Sequence, residues 1–184
     1  MLDDPKVISA IGGVGIQYQS RLVAAQLRAA YPNLTMWETE TPCFNGRNDW
    51  PEAEQTFRTM QQFIRGGASA YTYWNMVLDQ TGLSSWGWSQ DSTIVIDAYD
   101  GHITYTPQYY LMKHLSAFVK PGATFLQPTN QSDPVLAFKT PQGNVIVVVT
   151  NTSRFDRTVT LQIAAQSATV VLPAHSFSTF VGSP

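Results

Sequence analysis

The hydrophobic pattern of this chain changes period once, at Lys120-Pro121-Gly122, and that change limits what it can fold into. Before it, apolar residues recur at helical spacing between short β-type runs; after it, only short β-type runs remain. Asp4 caps a turn of helix with Pro5 at its first position. Residues 12–18 read as a short buried strand whose glycines suit close packing. A helix over 21–30, with Ser20 as its cap, ends at Tyr31-Pro32-Asn33, and 34–40 is a second strand. Pro51 opens a helix carrying Phe57, Met60, Phe63 and Ile64 in register, which Gly66-Gly67 stops. Residues 68–78 form a third strand, with Ala70, Thr72, Trp74 and Met76 on one face. Strands and helices alternating in this way give parallel strands joined by crossover helices.

Residues 79–107 are rich in Gly, Ser, Trp and Asp and read as a long functional loop with a short strand near 93–96. A helix over 107–119 presents Tyr110, Leu111, His114, Leu115 and Phe118 on its apolar side. Short strands follow at 124–126, 135–139, 145–150, 158–163, 168–172 and 177–181, with turns at 129–134 and 141–144 between them. Val159, Leu161 and Ile163 alternate with Thr158, Thr160 and Gln162, as in a half-buried antiparallel strand. The expected fold class is therefore α/β plus all-β: residues 1–120 form an α/β unit and residues 121–184 an antiparallel β-sandwich.

The stretch Thr35-Met36-Trp37-Glu38-Thr39-Glu40-Thr41-Pro42-Cys43 carries the chemistry. Regular alternation puts Glu38 and Glu40 on one face, a costly arrangement for a pure core. All five tryptophans (Trp37, Trp50, Trp74, Trp86 and Trp88) fall in the first half of the chain, with Asn and Asp between them. Indole rings beside carboxylates suit a sugar, whose C–H faces stack while its hydroxyls take hydrogen bonds. Carbohydrate is the expected partner. A net charge of −2 without a Lys/Arg cluster argues against nucleic acid. No apolar run approaches the ~20 residues of a membrane span. The start of the chain lacks signal-peptide features, but a mature secreted or periplasmic form would look the same, which leaves location open.

Other chemistries find no support. HExxH, CxxC, Gly-rich phosphate loops and the G-x-S-x-G elbow are all absent from the sequence. Glu52 and Glu54 read as partners of a helix dipole, Cys43 as a packing residue, His114 as packed or capping, and His175, Asp97, Asp100 and Asp133 as turn residues. No metal or organic cofactor is called for.

Three motifs, Trp37-Glu38-Thr39-Glu40-Thr41-Pro42-Cys43, Asn48-Asp49-Trp50 and Tyr73-Trp74-Asn75-Met76-Val77-Leu78-Asp79, resemble glycoside hydrolase family 30. Residues 106–122 are similar to that family's last barrel helix and its exit into a side β-domain. The resemblance implies the C-terminal part of a (β/α)8 TIM barrel, about the last three βα units, followed by a β-sandwich. It implies a retaining β-glycoside hydrolase acting by double displacement, with Glu40 as nucleophile and Trp74 as the indole flooring the sugar. Tyr18 matches an aromatic lining position, and Gln17, Trp37, Trp50, Asn75, Trp86 and Trp88 join it as substrate-binding candidates. Gln17 and Gln19 depart from the His and Tyr of some members, and Trp86-Gly87-Trp88 departs from the loop of the glucosylceramidase branch.

Retaining glycosidases use two carboxyls about 5–5.5 Å apart. Glu38 has roughly the right spacing from Glu40 but is expected deeper in the barrel, below the sugar, as a supporting polar residue. The family's acid/base follows an Asn, and this sequence contains no Asn-Glu pair. The expectation is thus a C-terminal portion of a longer enzyme, inactive without the N-terminal part of the barrel, whether from the same gene product or a separate chain. A non-catalytic carbohydrate-binding or structural fragment is the alternative.

Overall fold

The computed structural model describes residues 2–130, 134–163 and 165–183. The short helix α1 (Pro5–Ala10) starts where Asp4 accepts the Lys6 N–H at 2.9 Å. It leads into β1 (Gly13–Gln17), α2 (Ala24–Ala30), β2 (Thr35–Glu40), α3 (Trp50–Arg65) and β3 (Ala70–Tyr71). These three strands form one parallel sheet in the order β1-β2-β3. At the start of α3, Asp49 accepts the Glu52 N–H at 3.1 Å and Pro51 occupies the first turn, which satisfies the helix end and fixes its entry. Gly66 closes α3 against α2. A Cβ there would lie 2.6 Å from that of Ala24, so only glycine permits the approach.

Next come β4 (Val77–Asp79), β5 (Ile94–Ile96) and β6 (Ile103–Tyr105), a small sheet in which β4 and β5 run parallel and β6 antiparallel to β5. Helix α4 (Pro107–Ser116) follows, capped by Thr106. The rest is antiparallel: β7 (Thr124–Leu126), β8 (Val135–Lys139), β9 (Val145–Asn151), β10 (Arg157–Ile163), β11 (Gln166–Leu172) and β12 (Ser176–Gly182). They make a sheet in the order β12-β9-β8-β7 and a separate β10-β11 hairpin.

Two apolar clusters hold these layers together, and α3 serves both. Its Phe63 packs with Ile16, Ala24, Met36 and Ala68 between the parallel sheet and the helices. Its Ala53, Phe57 and Met60 meet Leu111 and Leu115 of α4 and Leu136, Phe138, Ile146, Val148 and Phe177 of the antiparallel sheet. Phe57 and Phe63 are fully buried, and each such side chain contributes about 2–3 kcal/mol of transfer free energy. His114 bridges α4 and β12 through Thr179 Oγ1 at 2.8 Å, and burial lowers its pKa. His175 adopts the left-handed conformation expected of a turn residue and also bonds Glu54 at 2.9 Å, tying β12's entry to α3. Glu54 therefore has a partner beyond the helix dipole.

The structure departs from the sequence expectations in three places. The strand expected over 68–78 breaks into β3 and β4, which belong to different sheets. The ladder with β2 stops at the Glu38–Tyr71 pair because the Glu38 carboxylate, rather than a strand, takes the next N–H, that of Thr72. The helix expected from 21 begins at Ala24, since Ser20 donates to the Gln17 carbonyl and winds 18–22 into a 3-10 turn instead of capping. The long loop holds a further strand, β6, where Ile103-Thr104-Tyr105 supplies β-type residues. The turn expected over 129–134, with Asp133, lies partly outside the described residues.

Candidate active site

The C-terminal ends of β1 and β2 meet at a bulge that re-aims Glu40. Ile16 pairs with Glu38 and the next residue, Gln17, pairs with Glu40, so Thr39 is an extra residue in β2. Residues opposite each other in a ladder point to the same side. Glu38 therefore goes with buried Ile16, and Glu40 with exposed Gln17. The two acids lie on opposite faces of the sheet. This corrects the reading in which simple alternation placed them together and Glu38 inside the barrel below the sugar.

Glu40 is half-buried and held from the neighbouring strand end. The Tyr18 hydroxyl donates to its Oε1, and Gln17 Nε2 donates to its Oε2 at 3.4 Å while also reaching Thr39 Oγ1 at 3.3 Å. Tyr18 follows β1 directly with a φ of 47°, in the left-handed region that non-glycine residues rarely adopt. Its hydrogen bond to Glu40, reinforced by burial and by the Glu40 charge, pushes the phenol pKa up to about 12. Tyr18 thus remains a proton donor to Glu40 at any ordinary pH.

Glu38 is fully buried. Its Oε2 accepts the Thr72 N–H at 2.7 Å and its Oε1 has no hydrogen-bond partner among the described residues. Burial raises its pKa to about 7; the backbone N–H groups of Thr72 and Glu40 oppose the rise and the Glu40 charge adds to it. Beside it, the Tyr71 hydroxyl lies 3.2 Å from Thr41 Oγ1, a second link between the ends of β2 and β3.

The aromatic candidates are distributed unevenly around this centre. Trp37 is 55% exposed on the Thr39 side of β2. Trp74 and Asn75 lie in the segment that leaves β3, joined by a cis peptide. Trp86 and Trp88 stack on each other, centroids 5.4 Å apart, in the turn closed by the Leu83–Ser89 bridge. Asn75 Nδ2 donates to Gln90 Oε1 at 2.9 Å and the Asp91 N–H to the Cys43 carbonyl at 2.6 Å, so that turn is rooted beside the loop leaving β2. Trp50 sits at the start of α3 with its ring 5.6 Å from Phe177, facing the antiparallel sheet. Gln17, Tyr18 and Glu40 are joined by hydrogen bonds; Trp50 is not brought to them.

One residue at the root of the site escaped the sequence reading. Asp91 is fully buried, accepts the Asn48 N–H at 3.1 Å on Oδ1 and lies 3.4 Å from Gln108 Nε2 on Oδ2; Asn48 Oδ1 accepts the Ser92 N–H at 2.8 Å. Asp91 joins residues far apart in sequence, and nothing local in Ser89-Gln90-Asp91-Ser92 announces it. A cavity of about 720 Å³ opens elsewhere, between α3, α4 and β8, and holds none of the site residues.

Residues 122–180 match the family model of the glycosyl hydrolase family 30 beta sandwich domain. The chain is 30% identical over 169 residues to endo-1,6-beta-D-glucanase BGN16.3 of Trichoderma harzianum, covering 86% of this chain and 34% of that protein. It is 22% identical over 179 residues to the lysosomal acid glucosylceramidase of Mus musculus, covering 88% and 35%. The chain thus spans about a third of the length of these curated relatives. The crystal structure of SrfJ from Salmonella typhimurium superposes on all of this chain and 43% of its own, with a TM-score of 0.88 and 18% identity, a likeness of fold.

Proposed function

We propose, starting from a chain whose residues 122–180 belong to the glycosyl hydrolase family 30 β-sandwich domains, that Glu40 is the nucleophile of a retaining β-glycoside hydrolase. In this reading residues 1–120 are the last three strand–helix units of an eight-stranded barrel, and 121–184 its side domain. The observation that carries it is the bulge at Thr39, which turns Glu40 out of the helix-facing core to the side of Gln17, where Tyr18 and Gln17 hold it. Barrel enzymes do their chemistry at the C-terminal strand ends, and Glu40 ends the middle strand of the parallel sheet.

The two carboxylate oxygens divide the work. Tyr18 occupies Oε1, and Oε2 has only the long contact to Gln17, so Oε2 is the oxygen that attacks the anomeric carbon. The glycosidic C–O bond breaks, and the departing oxygen takes a proton from a second carboxyl supplied by barrel strands outside these 184 residues. The same carboxyl then deprotonates water, which releases the sugar and restores Glu40. Trp74 floors the sugar, with Trp37, Trp86 and Trp88 as further lining. β-Linked glycans or glycosides are the substrate class, and no metal or organic cofactor is needed.

The test is labelling of an active enzyme containing this chain by a 2-deoxy-2-fluoro β-glycoside, mapped by mass spectrometry. Label on Glu40 is expected; label on another carboxylate in an active enzyme overturns the assignment. The exposed Trp86–Trp88 stack favours one alternative, a chain that binds carbohydrate without chemistry, which predicts binding with no label.

A further inference from the structure

The face of β2 that turns away from Glu40 carries a second carboxyl in an unusual place. Glu38 lies opposite Ile16 and on the same face of β2 as Met36, the helix-facing side, fully buried, yet it serves no ion pair among the described residues. Its Oε2 takes the Thr72 N–H at the point where the β2–β3 ladder stops, so a side chain replaces a ladder acceptor. Thr72 is two residues before Trp74. One buried group on β2 thus takes a backbone N–H of the segment that leaves β3, linking the two strand ends from which the site is built.

We propose that Glu38 is a positioning residue: its carboxyl pins the 72–74 segment, and with it Trp74, at a set separation from Glu40. This rests on the reading of Glu40 as the nucleophile. A sugar must lie on Trp74 with its anomeric carbon at Oε2, and small displacements of either wall are costly; a 1 Å error can cost about a hundredfold in rate. The link is also sensitive to proton uptake. An ionised Glu38 is a stronger acceptor for Thr72 than a protonated one. The titratable groups facing it are Glu40 on its own strand, which opposes ionisation, and Tyr71 on β3, whose hydroxyl burial keeps protonated.

Nuclear magnetic resonance on the 184-residue chain tests this without any need for turnover. From pH 4 to 9, the Glu38 carboxyl, the Thr72 amide and the Trp74 indole are expected to shift with one common midpoint above the ordinary carboxylate range. Glu38→Gln is expected to abolish that shared shift and leave the remaining amide spectrum unchanged, whereas Glu40→Gln is expected to retain it. Thr72 and Trp74 signals that stay still while Glu38 titrates overturn the proposal, as does a shared shift that persists in Glu38→Gln. In an active enzyme containing the chain, Glu38→Ala is expected to lower kcat about tenfold or more, with Glu38→Gln partly restoring it because its amide oxygen can still accept from Thr72. Equal kcat in wild type and Glu38→Ala also overturns the proposal. Failure of the Glu40 assignment shows separately, as label elsewhere with the Glu38 titration intact.

Discussion

The Tyr18 hydroxyl donates its hydrogen bond to Oε1 of Glu40, across from the end of β1 to the end of β2. The pairing depends on two backbone irregularities at the same level of the sheet. Tyr18 takes a left-handed conformation directly after β1, and Thr39 is the extra residue in β2. Regular strands would have put Glu40 on the face of Glu38 and left the phenol without its acceptor.

Tyr18→Phe removes a donor from the carboxylate and leaves the ring in place. In an active enzyme containing the chain, the rate of labelling at Glu40 is expected to fall about tenfold to a hundredfold, because preorganised donors at a reacting group contribute on that scale. Since the phenol titrates only near 12, the wild-type profile should show no Tyr18 limb below about pH 10. A wild-type limb that disappears in Tyr18→Phe at lower pH contradicts this account.

Glu40→Gln keeps the shape of the side chain and deletes the nucleophile. Turnover is expected to fall by several orders of magnitude while sugar affinity changes little, read by kinetics and by calorimetric titration. Loss of binding together with turnover indicates a positioning rather than a covalent role.

The strand–helix alternation and the antiparallel character after Thr124 were legible in the sequence because hydrophobic period is a local signal. Glu40 and Tyr18 stood out by resemblance and Gln17 as a departure beside Tyr18, and the structure joins the three by hydrogen bonds. The face of Glu40 was not legible. It depends on a one-residue register shift against β1, and a strand read alone shows only strict alternation. The break after Tyr71 was hidden for a related reason: Tyr71-Thr72-Tyr73-Trp74 is strand-like in composition, and a side chain from β2 ends the ladder there. Asp91 was invisible because its partners Asn48 and Gln108 are distant in sequence.

Trp50 separates a packing role from a sugar-binding role. Its ring lies 5.6 Å from Phe177, which itself packs against Phe57 in the cluster shared by α3 and the antiparallel sheet. Trp50→Ala is expected to destabilise the chain by about 2 kcal/mol, below the range for a fully buried indole because part of the ring is exposed. Denaturant unfolding measures this. Sugar affinity in the folded variant is expected to equal that of wild type, whereas Trp74→Ala lowers affinity without a comparable loss of stability.

Glu38 makes the stability of the chain depend on pH in a direction opposite to acid denaturation. Its pKa is about 7 when folded against 4.5 for the free group, so between those values the folded state holds a proton that the unfolded state has released. Stability is therefore full below about pH 4.5 and declines as pH rises through 7, since the unfolded chain binds fewer protons across the window. For a fully buried carboxyl, a displacement of this size corresponds to roughly 3 kcal/mol. Asp91, raised by burial in the same sense, adds to the slope. Glu38→Gln removes the Glu38 part by substituting a neutral acceptor of the same shape. The variant is expected to match wild type near pH 4 and to exceed it by about 2–3 kcal/mol at pH 8, measured by urea unfolding at both. Equal stabilities at pH 8 mean that Glu38 ionises in the fold without a burial cost. A variant weaker than wild type at pH 8 means instead that the charged hydrogen bond to Thr72 outweighs the desolvation of the carboxylate.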